Sequence, residues 1–446
     1  MPPLIVSISG IRGIVGDGLG PREAVRFGLA FGTHLGGGKV VLGRDSRPSG
    51  PMLADALRAG LQAAGCRVTD LGVLSTPGTS VMLRHLGADG GAILTASHNP
   101  APYNGIKLLS HKGFGLGRAE GEAVADLYRR EAFAEQGTDG VGRAERKTIG
   151  PRVHVERVLA TVDAIRVRAA RFRIVVDAAN GAGAAEMALL LERLGCECVL
   201  LYGKPTGRFG RGPEPVPENL ADLCQAVREH GAAAGLALDP DADRLALVDE
   251  TGRAVGEEYT LALAARHRLG SERGPVACNL STSRMMDDVA REAGVTLHRT
   301  PVGEVNVAEA IEREGCLIGG EGNGGVIDPR VALVRNSLAG AALVLEMMAS
   351  RGRTLSELCG ELPVYTMVKD KVPLAGRRPE EVLAAARRRF ADAALDERDG
   401  LHFAWPDGWL HVRLSNTEPI LRVIAEAAQA ERARGLVREV KALAGA

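Results

Sequence analysis

Residues 91–100 of the chain read Gly-Ala-Ile-Leu-Thr-Ala-Ser-His-Asn-Pro, and this stretch indicates how the first part of the protein folds. Residues 91–94 form a short apolar run of the kind that makes a buried strand. The Asn-Pro pair ends that run with a turn signal, so Ser97 lies where a strand passes into a loop. Ligands of open α/β sheets bind at the carboxyl ends of strands. Ser97 is therefore a candidate nucleophile or phosphate carrier, and the alternative interpretation is an ordinary serine-rich turn.

The pattern around this stretch occurs three times along the chain. Each copy has an apolar strand, a helix and a second strand that begins at a glycine, with the helices predicted at 51–64, 184–194 and 284–293. Each copy then has a further apolar strand that leads into a polar or glycine-rich loop. This alternation of strands and helices predicts a mostly parallel sheet in each copy. We therefore expect three similar α/β domains that face one cleft.

The rest of the chain has a different pattern. Strands are predicted at 401–405 and 409–414 around a Pro-Asp-Gly turn, and residues 430–443 carry apolar side chains at helical spacing. These features predict a smaller α+β domain at the C-terminal end. A polar, charged stretch with helix at 129–147 is the predicted linker between the first two domains. The predicted domain boundaries are 1–145, 146–252, 253–363 and 364–446.

The composition is typical of a globular protein and argues against several functional classes. The chain has 446 residues, 45% of them hydrophobic and 25% charged, which is too long for a single core. The charges of its 55 basic and 55 acidic residues cancel, so the chain lacks a basic excess and we expect no nucleic-acid partner. The sequence shows neither a signal-peptide pattern nor an apolar run of membrane-spanning length. The seven cysteines are scattered without a CxxC pair, which favours a reducing, cytoplasmic setting.

Residues 239–244 form the loop that follows the corresponding strand of the second copy, and they read Asp-Pro-Asp-Ala-Asp-Arg. In an extended chain, alternate side chains point the same way. Three carboxylates held close together repel one another unless a cation lies among them. Hard oxygen ligands without histidine or cysteine favour Mg²⁺ over zinc. The sequence thus predicts a Mg²⁺ site on Asp239, Asp241 and Asp243 beside Arg244, and the alternative is a solvated acidic turn.

Three other segments have residue types that suit a sugar phosphate. Residues 319–325 contain five glycines, which let backbone approach a ligand, around Glu321 and Asn323, whose side chains suit sugar hydroxyls. Arg12 lies among glycines that can present its guanidinium to a phosphate. A possible phosphate cradle follows the strand at 409–414 and consists of Arg413, Ser415, Asn416 and Thr417. The alternatives are a flexible glycine loop, a surface arginine and a capping turn.

Together these motifs resemble those of the α-D-phosphohexomutase family. Residues 95–100 are similar to the family's phosphoserine loop, 239–244 to its metal loop, 320–324 to its sugar-binding loop and 413–417 to its phosphate-binding loop, in family order. The resemblance implies three α/β domains and a fourth domain of TATA-binding-protein-like form around a central cleft. The Gly322–Asn323 pair is similar to the residues found at this position in the phosphoglucosamine mutases of archaeal type. That branch commonly has an acidic residue after the arginine at 335, where this chain has Asn336.

The resemblance also implies a reaction. Phosphorylated Ser97 would transfer its phosphoryl group to a hexose monophosphate, and the bisphosphate formed would turn over and return its other phosphate, with a hexose bisphosphate as activator. Mg²⁺ would be bound by the serine phosphate and the three aspartates. Glu321 and Asn323 would bind the sugar, and the cradle at 413–417 would hold the phosphate that does not react. Lys107, Arg12 and Arg244 would lie near the reacting phosphate, with His98 and Lys107 both candidates for the general base.

Other functions could use the same parts. A phosphatase would let water take the phosphoryl group from Ser97, and a kinase would need a nucleotide loop, which we do not find in the sequence. A catalytically silent sugar-phosphate sensor would be expected to lose the serine or an aspartate, and this chain keeps both. Among mutase substrates we expect glucosamine phosphate first, then glucose or mannose phosphate, because residues 301–306 and 321–325 resemble the phosphoglucosamine branch. The expected partner is a small hexose phosphate.

Overall fold

The structure is a computed structural model that describes residues 4–374, 376–414 and 420–445. In this part of the chain the strands form four separate sheets, which follow one another along the sequence. Each sheet therefore forms from one continuous stretch of chain. None of the helices within the described ranges is long and apolar enough to cross a membrane.

The first domain contains eight strands and four helices, which are, in chain order, β1 (Ile5–Ser7), β2 (Gly10–Val15), β3 (Gly18–Leu19), α1 (Pro21–His34), β4 (Gly38–Arg44), α2 (Gly50–Ala63), β5 (Cys66–Val73), α3 (Thr76–Leu86), β6 (Gly90–Leu94), β7 (Tyr103–Ser110), α4 (Arg118–Arg130) and β8 (Ala144–Arg146). The strand order is β1-β2-β7-β6-β4-β5-β8, with β3 beside β2. Strand β6 is buried along its whole length, as its apolar sequence predicts.

The second domain contains four strands, four α-helices and a short 3-10 helix at Pro217–Asn219. The elements are α5 (Gly150–Leu159), α6 (Ala164–Ala170), β9 (Arg173–Asp177), α7 (Ala184–Arg193), β10 (Glu197–Leu201), α8 (Ala221–His230), β11 (Ala234–Leu238) and β12 (Leu245–Asp249). The strand order is β10-β9-β11-β12.

The third domain contains four strands and five helices. The elements are α9 (Glu258–Ser271), β13 (Val276–Asn279), α10 (Met285–Ala293), β14 (Leu297–Thr300), α11 (Glu304–Glu314), β15 (Ile318–Glu321), β16 (Gly325–Ile327), α12 (Ser337–Arg351) and α13 (Leu355–Gly360). The strand order is β14-β13-β15-β16.

These three domains share one topology, as the sequence repeat predicts. In each, two strands run parallel to a central strand, and a fourth strand runs antiparallel beside the third. The loop between the third and fourth strands is in each case the loop with candidate site residues, at 95–102, 239–244 and 322–324. Because these loops leave equivalent strands, they occupy equivalent positions in the three domains. The expectation of three similar α/β domains is confirmed.

The C-terminal domain is a smaller α+β unit, also as predicted. Its elements are β17 (Thr366–Pro373), α14 (Pro379–Arg389), β18 (Ala394–Asp396), β19 (Leu401–Trp405), β20 (Gly408–Leu414), β21 (Ile420–Ala427) and α15 (Ala430–Ala444). All neighbouring strands are antiparallel, in the order β17-β21-β20-β19-β18. This domain has a core of its own, whereas one large apolar cluster includes side chains of all three α/β domains.

The region at 129–147 differs from the prediction of a linker with helix. Helix α4 ends at Arg130, and β8 lies parallel to β5 at the edge of the first sheet. Between them the backbone N–H groups of Gln136 and Gly142 donate to carbonyls at the end of α2. The stretch therefore packs on the first domain through irregular backbone contacts, which polarity alone does not reveal. The domain boundaries themselves remain predictions.

Candidate active site

The loops of the first two domains meet at a direct contact. Ser97 follows β6, and its Oγ donates a hydrogen bond of 3.0 Å to Oδ2 of Asp239, which follows β11. Both residues are buried, with 4% of Ser97 and 0% of Asp239 exposed. The carboxyl ends of two equivalent strands therefore face each other, and the structure brings the predicted serine and metal loops together.

The backbone of Ser97 has a conformation that residues other than glycine rarely adopt. Its φ is +48°, in the left-handed region, which costs about 1–3 kcal/mol and persists only where the surroundings enforce it. The Ser97 N–H donates to Oγ1 of Thr95 at 2.9 Å, and Oγ lies 3.3 Å from Nδ1 of His98. Strain of this kind is concentrated at functional loops, so the strained serine is a candidate reactive residue.

The three aspartates of the metal loop converge through a turn, not through an extended chain as we expected. Strand β11 ends at Leu238, and Ala242 has a φ of +56°. Oδ1 of Asp239 accepts the N–H groups of Asp243 and Arg244 at 3.0 and 3.1 Å, which closes the turn. Carboxylate oxygens of the three aspartates still lie within 4.8 Å of one another.

This aspartate cluster fits a hard divalent cation. All three side chains are 0% exposed, and Oδ1 of Asp241 and of Asp243 has no hydrogen-bond partner in the described ranges. Burial, together with the charges of Asp243 and Asp241, raises the pKa of Asp239 well above its ordinary value. The three carboxylates thus repel one another in a position where a cation would relieve the repulsion. Oxygen donors alone suit Mg²⁺.

Two side chains of the first domain bind Asp241. Nζ of Lys107 on β7 lies 3.1 Å from its Oδ2 and 3.8 Å from Oδ2 of Asp243. The hydroxyl of Thr76, the first residue of α3, donates to the same Asp241 oxygen at 2.7 Å. Burial alone would lower the pKa of Lys107, but Asp241 and Asp243 raise it, so the side chain is an ammonium ion at neutral pH.

Arg335 joins the metal loop to the sugar-binding loop. Its buried guanidinium pairs with Asp243, with Glu321 at 2.5 Å and with Glu304 at 3.2 Å. The sequence predicts no role for Arg335 and marks it only through Asn336, which follows it. Because one guanidinium pairs with both glutamates, Glu304 and Glu321 lie side by side in the third domain.

The carboxylate of Glu321 lies at the end of β15 and is held from three directions. It accepts Nδ2 of Asn279 at 2.8 Å and the N–H of Gly303 at 3.2 Å, in addition to Arg335. Nδ2 of Asn323 lies 3.3 Å from it, while Oδ1 of Asn323 has no partner among the described residues. A charged acceptor and a free amide oxygen are thus adjacent, as a site for sugar hydroxyls requires.

A close contact with the second domain explains one glycine of this loop. The N–H of Leu245 donates to the carbonyl of Gly324 at 3.0 Å. Gly324 has a φ of +83°, and a Cβ at this position would lie 2.4 Å from the Leu245 carbonyl oxygen. Only glycine allows the two backbones to approach in this way.

The other residues predicted near the reacting phosphate lie around the serine loop. Nη1 of Arg12 donates to Oδ1 of Asn99 at 3.2 Å. Arg244 pairs with Glu214 at 3.0 Å, and Nε2 of His98 lies 3.9 Å from the same carboxylate. Burial, followed by the charges of Arg244 and Arg12, lowers the pKa of His98 to about 2. The imidazole is therefore neutral and is surrounded by cationic groups that suit an anion.

The predicted phosphate cradle falls only partly within the described residues. Arg413 is at the end of β20 and pairs with Asp399 at 2.9 Å, and Asp399 also accepts the N–H of Val302 at the same distance. The arginine is thus linked to the loop that precedes Glu304 in the third domain. Ser415, Asn416 and Thr417 lie outside the described residues.

A buried polar network behind the metal loop connects all three α/β domains. Asn336 caps α12 by accepting the N–H groups of residues 338 and 339, and its Nδ2 contacts Nε2 of His154 at 2.9 Å. His154 pairs with Glu186 at 2.6 Å, and Glu186 binds the hydroxyl of Ser75 at 2.9 Å. The branch that the sequence resembles commonly has an acidic residue at this position. Asparagine can also cap the helix, and it places a side-chain amide next to His154.

The serine loop rests on Arg47, which sequence reasoning missed. This residue follows β4 in the loop before α2, and its side chain is 0% exposed. The sequence does contain one signal for this role. Asp45 and Arg47 come directly after a buried strand, and charged residues in that position must be paired. Local sequence gives no indication of the partner.

Comparisons with known proteins agree with this geometry. Four family models match in order: "Phosphoglucomutase/phosphomannomutase, alpha/beta/alpha domain I" over residues 4–135, domain II over 152–252, domain III over 256–365 and the C-terminal domain over 370–443. The chain belongs to the phosphoglucomutase/phosphomannomutase family. It is therefore a phosphohexomutase, an isomerase of hexose phosphates.

Individual members of the family resemble the chain over nearly its full length. A Methanopyrus kandleri protein named "Probable phosphoglucosamine mutase" is 41% identical over 96% of this chain and 95% of its own. A Thermococcus kodakarensis protein named "Phosphoglucomutase/phosphomannomutase" is 40% identical over 95% of each chain. The crystal structure of a family member from Burkholderia thailandensis superimposes with a TM-score of 0.87 at 28% identity, covering 99% of this chain and 97% of that one.

Proposed function

We propose that this phosphohexomutase works through a phosphoserine at Ser97 and a Mg²⁺ ion on the three aspartates, and that glucosamine phosphate is its preferred substrate. The observation that carries the mechanism is the 3.0 Å contact between Ser97 Oγ and Asp239, next to two unpartnered aspartate oxygens. Asp239, Asp241, Asp243 and the serine phosphate would hold Mg²⁺, which offsets charge on the transferring phosphoryl group when bound.

The surrounding residues suit the transfer in both directions. A sugar hydroxyl attacks the phosphorus of phosphorylated Ser97 and the bond from phosphorus to Oγ breaks, so that a sugar bisphosphate forms. The Lys107 ammonium gives a proton to the departing Oγ and takes up the proton that the sugar hydroxyl releases. In the return step Ser97 Oγ attacks the other phosphate of that intermediate, and the bond from its phosphorus to the sugar oxygen breaks. The Lys107 ammonium gives a proton to that sugar oxygen and takes up the proton that Oγ releases. His98 lies 3.3 Å from Oγ, but with its pKa lowered to about 2 it stays neutral and accepts no proton. Arg12 and Arg244 face the phosphate, and Arg413 with the cradle at 415–417 holds the distal one.

Burial of the serine favours a mutase over a phosphatase. With 4% of Ser97 exposed, water has little access to the reacting oxygen. A mutase needs this exclusion, because the phosphoserine must survive until a sugar hydroxyl reaches it.

The role of Ser97 is tested with Ser97→Ala. We expect the fold to be unchanged, turnover of hexose 1-phosphates to be abolished, and the phosphate adduct seen by intact mass in wild type to be absent. Ser110→Ala is the matched control, since Ser110 is a buried serine at the far end of β7 whose hydroxyl donates to the Phe114 carbonyl at 3.0 Å, away from Ser97. A chelator should also stop the wild-type reaction. Near-normal mutase rates for Ser97→Ala, or full activity in metal-free protein, would contradict the mechanism.

We base the proposed preference for glucosamine phosphate on the charged side chains around Arg335. Glu304 and Glu321 share the single guanidinium of Arg335. If the metal takes up the charge of Asp243, two carboxyl groups still face one arginine. Burial raises the pKa of Glu304, and a protonated amine beside it would favour its ionised form. Glu321 suits sugar hydroxyls, so we assign Glu304 to the amine at C2. Relatives of nearly equal identity are named for different sugars, so this cleft chemistry is the main support.

The test compares kcat/KM for the 1- and 6-phosphates of glucosamine, glucose and mannose. We expect glucosamine phosphate to be preferred in wild type and Glu304→Gln to reduce that preference by about tenfold, the effect of one charged hydrogen bond. Glu309→Gln, an exposed change on the same helix, should leave the ratio as in wild type. If glucosamine phosphate is the poorest substrate, the preference is wrong although the mutase assignment stands.

A further inference from the structure

We propose that Arg47 is the positioning residue of the phosphoserine loop, holding Ser97 in its strained conformation against the metal site. This inference rests on the proposed role of Ser97. It assigns a function to a residue whose side chain hydrogen-bonds to none of the three aspartates and holds the backbone of the loop instead.

All five N–H donors of the Arg47 side chain are used. Nε donates to Oδ2 of Asp45 at 3.0 Å. The two terminal nitrogens donate to four backbone carbonyls, three in the loop after β6 and one at the start of β7, at 2.7 Å to Ser97, 2.7 Å to Asn99, 2.8 Å to Pro100 and 2.9 Å to Tyr103. One side chain therefore fixes carbonyl groups across seven residues of the chain.

These bonds turn the loop around a single point. Four carbonyls converge on one planar group, so the chain between them must curve and its opposite side must face away from Arg47. Ser97 lies within this curve with φ at +48°, and its Oγ points to Asp239. The N–H side of Ser97 is held separately by Thr95. The hydrogen bonds from Arg47 thus help to hold Ser97 in the left-handed backbone conformation, which persists only where its surroundings enforce it.

The charge and the plane of Arg47 are themselves fixed. Asp45 pairs with the guanidinium and also accepts the Arg47 N–H at 2.9 Å. The Phe209 ring of the second domain covers the guanidinium, with its centroid 5.0 Å from the central carbon. A buried charge needs such complete pairing, and the result is a group that cannot reorient while the phosphoryl group is transferred.

Arg47→Lys keeps the charge beside Asp45 but places three donors on one nitrogen, which cannot satisfy acceptors spread over the loop. We expect kcat to fall about 10²-fold, the effect of a displacement near 1 Å at a reacting atom. KM should stay within about threefold, because the sugar and distal phosphate are held by the third and fourth domains. Loading of Ser97 by glucose 1,6-bisphosphate, followed by intact mass, should slow in parallel with kcat.

Arg268→Lys is the matched control. Arg268 is also buried, pairs with Asp328 at 2.8 Å and contacts the carbonyl of Thr161, away from the serine loop. We expect it to lower the melting temperature without changing kcat. If Arg47→Lys does not fold, Asp45→Asn removes the charge that pairs with the guanidinium and so loosens the orientation of Arg47 towards the four carbonyls. It should lower kcat in the same direction but by less.

The outcomes separate this inference from the proposed function. If wild type neither isomerises hexose phosphates nor carries phosphate on Ser97, the proposed function fails. If wild type does both and Arg47→Lys matches it in kcat and loading rate, the positioning role is wrong. A loss of kcat that Arg268→Lys reproduces at equal melting temperature would also overturn the inference, because the effect would then be one of stability.

Discussion

Thr76 shows how one hydroxyl group can orient a proposed metal ligand. Its Oγ1 donates to Asp241 at 2.7 Å, and its N–H donates to the Asp241 carbonyl at 2.9 Å. Together with Lys107, it leaves Oδ1 of Asp241 as the oxygen without a partner. The hydroxyl therefore holds Oδ2 of Asp241 and leaves Oδ1 open to a cation.

We predict that Thr76→Val weakens binding of Mg²⁺ by about tenfold or more, the usual effect of losing a group that orients a metal ligand. Valine keeps the shape of threonine and the backbone bond, so the fold should be unaffected. Titration calorimetry of the unphosphorylated protein with Mg²⁺ measures the affinity. Thr79→Val is the control, because the Thr79 hydroxyl donates to the carbonyl of Ser75, the N-cap of α3, at 3.0 Å and to no aspartate. Equal affinities for the Thr76 variant and wild type would show that Asp241 needs no such partner.

At the scale of an element, the first domain depends on close contact between the backbones of α1 and α2. A Cβ on Gly60 would lie 2.1 Å from the Val25 carbonyl oxygen, and one on Gly28 would lie 2.4 Å from the Leu57 carbonyl oxygen. The two helices therefore pack with glycine facing backbone on both sides. This packing fixes α2, which follows the Arg47 loop directly.

Gly60→Ala is predicted to lower the free energy of unfolding by about 1–3 kcal/mol, because the helices must separate to admit the methyl group. Gly435→Ala, on α15, is the matched control, since its nearest neighbour would be a flexible arginine at 3.9 Å. That change should stabilise the protein by about 0.5–1 kcal/mol through helix propensity. Denaturant titrations of both variants measure the two effects. A neutral Gly60→Ala would mean that the helix pair adjusts without cost.

At the scale of the whole molecule, the fourth domain is attached to the third through buried carboxylates. Glu426 on β21 binds the Ser283 hydroxyl and the N–H of Arg284, at 2.9 Å for the latter. Glu258 on α9 accepts the N–H of Ser283 at 2.9 Å and lies 3.6 Å from Nζ of Lys369 on β17. These contacts fix the domain of Arg413 against the third domain.

We predict that the stability of this attachment falls as pH rises. Burial raises the pKa of Glu258 to about 8, against the partial compensation of Lys369. The folded protein therefore holds a proton on Glu258 that the unfolded chain releases above its ordinary pKa of about 4.3. Stability from this group is present below that value and is lost between about pH 4.3 and 8.

Thermal unfolding at pH 5.5 and pH 8 tests this prediction. Glu258→Gln cannot titrate, so its melting temperature should fall less than that of wild type between the two conditions. Glu309→Gln, an exposed substitution in the same domain, should follow wild type. The same pH dependence in wild type and Glu258→Gln would show that other groups determine it.

Much of the fold of this protein could be predicted from local sequence. Apolar runs, glycine helix ends and the repeat of strand and helix are properties of neighbouring residues, so the three α/β domains and the smaller C-terminal domain could be predicted from them. The serine and aspartate loops were identifiable for the same reason, because unusual polar residues directly follow buried strands. The roles of the site residues stay predictions until the experiments above are done.

The tertiary structure alone decided which groups meet. Ser97 and Asp239 are 142 residues apart, and Thr76 and Asp241 are 165 apart, so no local pattern records either contact. The same holds for Arg335 between two loops and for Arg47 beneath the serine loop. The aspartates converge through a turn closed by hydrogen bonds from backbone N–H groups to the Asp239 carboxylate, which alternation along a strand did not predict. Local periodicity specifies which face of an element is buried, whereas the partner of a buried polar group depends on how distant elements pack.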